Sequence, residues 1–193
     1  MRDIERLVLT PAALVGTRAG VCHVADPGNA DYLAVIRHRI SVITVHDLIP
    51  YLCLAGHLAG FRPSHAGRWL MRRILARLGK ADRIVCVSER TRRDLLDLTG
   101  LDARRILTIP NTVFQPMAPA APEDCAALRA GLGLPAGAAV VLHVGQAFYK
   151  NRKAVLEVFA RIRAARRDAR LVLVGGLDAH HAGLAARLGL LPH

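Results

Sequence analysis

Short runs of β-branched and aliphatic residues recur along the chain at Val21 to Val24, Ile40 to Val45, Ile84 to Val87, Ile106 to Ile109, Val140 to Val144 and Leu171 to Val174. Helical patterns separate most of them. Between the last two, Val155, Val158, Phe159 and Ile162 follow the i, i+3, i+4, i+7 spacing of an amphipathic helix. Continuous apolar strands alternating with such helices predict an α/β protein whose parallel sheets are covered on both faces.

The stretch from Phe114 to Asp124, F-Q-P-M-A-P-A-A-P-E-D, has closely spaced prolines and no periodicity, so it reads as a linker. The chain then divides into a first α/β piece at 1–113, a linker at 114–124 and a second piece at 125–193. The string Gly131-Leu132-Gly133-Leu134-Pro135-Ala136 imitates a dinucleotide fingerprint. It precedes a strand instead of following one, which removes it from consideration.

With 52% hydrophobic residues in 193, the chain has ample material for a buried core. A formal charge of +12 calls for an anionic partner: nucleic acid, a membrane surface or a phosphorylated small molecule. Aromatics make up only 4%, and no basic stretch interleaves the Phe or Tyr residues that stack nucleobases, which argues against nucleic acid. Cys22, Cys53, Cys86 and Cys125 lie far apart with no Cys-x-x-Cys, which argues against a zinc site or a redox pair and fits a reducing cytoplasm. The apolar run Leu7 to Gly16 is broken by Thr10 and Pro11 and makes a poor signal peptide. No apolar stretch approaches the roughly 20 residues needed to cross a bilayer, so any membrane contact would be peripheral.

In open α/β sheets ligands bind beyond the carboxyl ends of the strands. The residues standing there are polar: His46 and Asp47, then Ser88 and Glu89, then Pro110 and Asn111, then Gly145. An imidazole at position 46 can exchange a proton near neutral pH and orient an acceptor hydroxyl, while the plainer alternative is a turn in which Asp47 caps the backbone. Ser88 precedes a helical pattern and suits an N-cap, although an anion could share that helix N-terminus. Gly145 would let a ligand approach the backbone, and Lys150 could reach a diphosphate as a point charge and stabilise it as a leaving group. A solvated basic loop is the competing description. Lys150 and Lys153 are nonetheless two of only three lysines in the chain, against twenty-four arginines.

Arg68 to Lys80 sets Leu70, Met71, Ile74, Leu75 and Leu78 against Arg68, Arg72, Arg73 and Arg77. A helix of this kind can lie on anionic lipid, or it can pack its apolar side on the sheet and solvate its arginines.

Read in order, T-V-H-D-L-I-P, A-D-R-I-V-C-V-S-E-R-T-R-R-D-L, R-I-L-T-I-P-N-T-V, V-L-H-V-G-Q-A-F-Y-K-N and L-V-L-V-G-G resemble the motifs of family 4 glycosyltransferases, over about Val21 to Gly176. The resemblance implies a GT-B-like fold with two Rossmann-like parallel-sheet domains, one binding an acceptor and one a donor. It also implies transfer of a sugar from a nucleoside diphosphate to a glycan or lipid-linked acceptor, with retention at the anomeric carbon, no cofactor and no essential metal. By this likeness His46 and Asp47 are the catalytic candidates, and Gly145, Gln146 and Lys150 hold the donor diphosphate. Ser88, Asn111 and Gly175 are further cleft candidates. The expected location is cytoplasmic, with peripheral contact at the inner face of an anionic membrane.

The chain departs from the family pattern in places. Gln146 stands where many members have Arg, removing a cationic contact, and Thr112 stands where Gly is usual. The family's Glu-x7-Glu motif is absent, since the glutamates are Glu5, Glu89, Glu123 and Glu157. That motif belongs late in the donor domain, and the acceptor domain's first strands with their glycine-rich loop are not found either, so both domains are expected to be incomplete, and the isolated chain to be poorly stable and to bind nucleotide weakly or not at all. Two other functions stay open: a non-catalytic partner subunit or decayed transferase, and a basic nucleic-acid-binding protein.

Overall fold

A computed structural model describes residues 5–113 and 118–191, so residues 114–117 of the expected linker lie outside the described residues. The chain separates into two compact units, Met1–Phe114 and Gln115–His193. A helix spans Pro122–Gly131, so the last three residues of the stretch read as a linker are helical. Pro122 sits in its first turn, where a missing N–H costs nothing and the fixed φ suits a helix. Gly131 to Gly133 closes this helix, in keeping with its position before a strand.

The first unit is built on a four-stranded parallel sheet in the order β1 (Arg18–Val24), β2 (Arg37–Val45), β3 (Arg83–Cys86) and β4 (Ile106–Thr108). The helices are α1 (Thr10–Leu14), α2 (Ile49–Leu54), α3 (His65–Leu78) and α4 (Glu89–Thr99), with a 3-10 segment at Pro27–Ala34. Ser64 starts α3 by accepting the Gly67 N–H at 3.2 Å, and Ser88 starts α4 by accepting the Thr91 N–H at 3.1 Å. Along α3 the apolar residues fall on one side: Met71, Ile74 and Leu78 are buried, while Arg72 and Arg73 face water. They pack with Leu95 of α4 against Cys22, Val24, Ile43, Val45, Ile84, Cys86 and Ile106 of the sheet.

Those sheet residues all lie on one face. On the other face none of the alternate residues is buried: Val42, Thr44 and Val85 are half-buried, and Val21 is 59%, Ile40 48% and Leu107 49% exposed. The expectation of a sheet covered on both faces therefore fails among the described residues. The reason is topological: parallel strands that pair in chain order, joined by crossovers of one hand, place every connecting segment on the same side.

Register explains a polar clasp at the start of β3. Val42 pairs with Arg83, so the Ser41 amide has no strand partner on that side. The Asp82 carboxylate takes the place of a strand carbonyl and accepts both the Ser41 N–H and the Ser41 hydroxyl at 2.7 Å. The Asp82 N–H returns to Ser41 Oγ at 2.9 Å.

The second unit contains α5 (Pro122–Gly131), the parallel pair β5 (Val140–Val144) and β6 (Arg170–Val174), and two further helices, α6 (Arg152–Ala165) and α7 (Ala179–Arg187). Leu156 and Phe159 of α6 join Ala169, Ala185 and Leu190 in a small core. Truncating Leu156 to Ala would cost about 2–5 kcal/mol. The apolar stripe expected on this helix is only partly used, because Val158 and Ile162 stay exposed along a groove beside the free edge of β5.

Candidate functional site

In the first unit the polar residues converge where the sheet's carboxyl ends meet α2 and α3. β2 ends at Val45, which puts His46 beside the end of β1. His46 Nε2 lies 2.9 Å from the Ala25 carbonyl oxygen. A carbonyl only accepts, so Nε2 carries the hydrogen, and in the neutral ring Nδ1 keeps its lone pair. The His46 carbonyl accepts from the Thr91 hydroxyl at 3.4 Å, which ties this turn to the first turn of α4.

Asp47 does what the plainer alternative proposed: its Oδ1 accepts the Ile49 N–H at 3.1 Å and opens α2. Asp26 acts likewise at the end of β1, accepting the Gly28 N–H at 2.7 Å. Each aspartate keeps one carboxylate oxygen outside these turns. His46, Asp47 and Asp26 line a cavity of about 360 Å³ whose other walls include Tyr51, Phe61, Leu70 and Met71. Ser88 and Asn111 are not among its lining residues. Ser88 is the N-cap of α4 and also bonds the Thr91 hydroxyl at 2.9 Å, and Asn111 is exposed beyond the end of β4.

In the second unit the glycine at the end of β5 and the lysine after it come together. Gly145 has φ +113°, a conformation that favours glycine, and a Cβ there would lie 3.1 Å from Lys150 Cγ and 3.3 Å from Cε. The Lys150 backbone is anchored by His143, whose Nε2–H donates to the Lys150 carbonyl at 3.1 Å. The ammonium stands 5.8 Å from the Tyr149 ring centre and, among the described residues, forms no salt bridge. Lys153, the other lysine of the loop, pairs instead with Glu157 one turn along α6 at 3.8 Å.

Gln146 reaches across to the end of β6. Its amide donates to the Gly176 carbonyl at 3.2 Å, and its side chain occupies the space over Gly175, which has φ +98°. Gly145, Gln146, Lys150 and Gly175 thus form one cluster at the carboxyl ends of β5 and β6.

Sequence reasoning passed over Arg152. It follows the N-cap Asn151 at the start of α6 and is 5% exposed. Its guanidinium donates to the carbonyls of Gly145 at 2.9 Å, Val174 at 3.1 Å and Gly176. Its Nε is buried without a hydrogen-bond partner. A cation buried on carbonyls alone cancels the negative ends of these strand termini and leaves local positive potential for an anion. The signal available in the sequence was the run K-N-R-K, in which an arginine directly after an Asn cap sits at the first helical position, beside the strand ends.

No helix among the described residues is long and apolar enough to cross a membrane.

The family model described as Glycosyltransferase Family 4 matches residues 4–114. The chain is 39% identical over 120 residues to the D-inositol 3-phosphate glycosyltransferase of Kineococcus radiotolerans, an alignment covering 62% of this chain and 27% of that protein. Anabaena HepE, whose crystal structure holds UDP and glucose, superposes with a TM-score of 0.71 at 16% identity, covering 98% of this chain and 51% of HepE. TarM of S. aureus, in a complex with fondaparinux, α-GlcNAc-glycerol and UDP, gives a TM-score of 0.57 at 16% identity, over 89% of this chain and 31% of TarM. These neighbours are GT-B glycosyltransferases, and the chain spans about half the length of the first and less of the others. Its two parallel-sheet units have the GT-B type of fold. The match over most of the first unit places the chain in glycosyltransferase family 4.

Proposed function

We propose that this chain supplies the acceptor side and the diphosphate-binding part of the donor side of a glycosyltransferase that uses a nucleoside-diphosphate sugar. The observation that carries this is the cluster at the ends of β5 and β6, where Lys150 lies over a side-chain-free Gly145 and Arg152 neutralises the carbonyls beneath. A diphosphate approaching the ends of parallel strands meets carbonyl oxygens, which repel it. Here those oxygens are already engaged, and a lysine that forms no salt bridge among the described residues stands ready to contact the ligand.

On the acceptor side, His46 Nδ1 is the group that receives a hydrogen bond from an acceptor hydroxyl or from the reacting sugar, and Asp47 fixes the turn that carries it. Lys150 stabilises charge on the departing nucleoside diphosphate, so the reaction needs no essential metal. Transfer proceeds with retention onto a glycan or lipid-linked acceptor. Peripheral contact with anionic lipid, on the cytoplasmic side, would use the outer face of α3, where exposed Trp69 lies 5.4 Å under the Arg73 guanidinium.

Saturation-transfer NMR with UDP tests the donor site at the weak affinity expected of the isolated chain. Transfer to the UDP protons that disappears in Lys150→Ala supports the proposal. No transfer, or transfer indifferent to that substitution, overturns it.

A further inference from the structure

We infer that the His46 cavity accepts an uncharged sugar joined to a hydrocarbon aglycone, so that the acceptor is of the glycolipid type and neither a bare sugar nor a phosphate ester. This rests on the acceptor role assigned to the first unit and specifies its substrate class.

One wall of the cavity is mixed and the other apolar. Asp26, His46 and Asp47 come from the loops that follow β1 and β2, where Pro27, Pro50 and Tyr51 stand beside them. The apolar residues Phe61, Leu70, Met71 and Ile74 come from α3 and the loop before it. At about 360 Å³ it is at the small end of ligand pockets, about 300–1,000 Å³, enough for one short apolar group beside a sugar.

The polar end also discriminates by charge. Asp26 and Asp47 each spend one oxygen on a backbone N–H, at 2.7 Å and 3.1 Å, and keep acceptor capacity for hydroxyl donors. Two carboxylates beside His46 repel a phosphate and suit a polyol. Phe61 is 41% exposed, a large aromatic at the cavity wall that a bound hydrocarbon would cover.

The 193-residue chain is titrated with hexyl β-glucoside and methyl β-glucoside by ligand-observed saturation-transfer NMR, with inorganic phosphate as competitor. Hexyl β-glucoside is expected to bind at least roughly tenfold more tightly than methyl β-glucoside, and inorganic phosphate is expected not to compete. Phe61→Ser, a change at an exposed position that is expected to leave the far-ultraviolet circular dichroism intact, is expected to bring hexyl β-glucoside down to the affinity of methyl β-glucoside.

Equal affinities for the two glucosides, competition by phosphate, or a hexyl preference that survives Phe61→Ser each overturn the inference. The UDP experiment separates this failure from that of the function itself. UDP binding that Lys150→Ala abolishes, without a hexyl preference, sinks only the acceptor class. A Phe61-dependent hexyl preference without UDP binding keeps the cavity and sinks the donor assignment.

Discussion

Lys150 lies along Gly145 so closely that a methyl group added to the glycine would stand 3.1 Å from Cγ of the lysine. Residues five apart in a loop are thereby made one surface, with a bare backbone beneath an aliphatic stem and a charge at its tip.

Gly145→Ala should therefore act through Lys150 as well as through the backbone. The positive φ strains any L side chain, and the lysine must move away. In a catalytically active form containing this chain, donor use is expected to fall at least about tenfold, a factor that corresponds to about 1.4 kcal/mol, and Lys150→Ala should reduce it similarly. The double variant should lose little more than either single one. Additive losses in steady-state kinetics would show that the two residues act separately.

Arg152→Met should destabilise the second unit. The carbonyls of Gly145, Val174 and Gly176 would lose their shared donor, and a buried polar group left unpaired costs about 1–3 kcal/mol. Urea denaturation followed by circular dichroism measures this. An unchanged midpoint would mean that water replaces the guanidinium.

His46→Ala should lower sugar transfer by about 10²- to 10⁴-fold, the range for a positioned proton-transfer group, while leaving UDP binding in the second unit unaltered. Transfer within a few-fold of the parent would return His46 to a purely structural place in the turn against Ala25.

Acid should loosen the first unit through Asp82. The bonds from the Ser41 hydroxyl and amide hold its carboxyl below the usual carboxylate value. A depressed folded-state pKa adds stability above the unfolded value of about 3.9, and that increment is lost as pH falls through the folded value. Asp82→Asn is expected to lower the thermal midpoint at pH 7 and to flatten its decline between pH 5 and pH 3. A parallel decline in both proteins would remove Asp82 as the cause.

Thiol labelling should report the fold directly. Cys125 is exposed, whereas Cys22, Cys53 and Cys86 are buried, and burial pushes the Cys86 thiol up to about 11. One thiol is expected to react quickly with a disulfide reagent at pH 8 and the other three only on unfolding. Rapid reaction of all four would show that the uncovered sheet face leaves the first unit open.

Both sheets were legible because their strands are β-branched apolar runs set between helical patterns, and Gly145 and Lys150 stood out because a glycine and a rare lysine follow one of them. The roles of Asp47 and Ser88 were harder to read. A carboxylate or hydroxyl after a strand serves a turn or a ligand equally well by composition, and only the fold shows that each holds a turn, through the N–H groups of Ile49 and Thr91, with one Asp47 oxygen left outside it. Helix phase directs Lys153, the loop's other lysine, to Glu157.

Hydrophobic period and capping residues placed most strands and helices, because they act over a few positions and do not depend on distant partners. Long-range packing alone sets which face of each strand is covered, buries Arg152 on three carbonyls, and brings His46 into one cavity with Phe61 and Leu70. These depend on strand order and register, which bring together residues remote in the chain, and no local pattern records such neighbours.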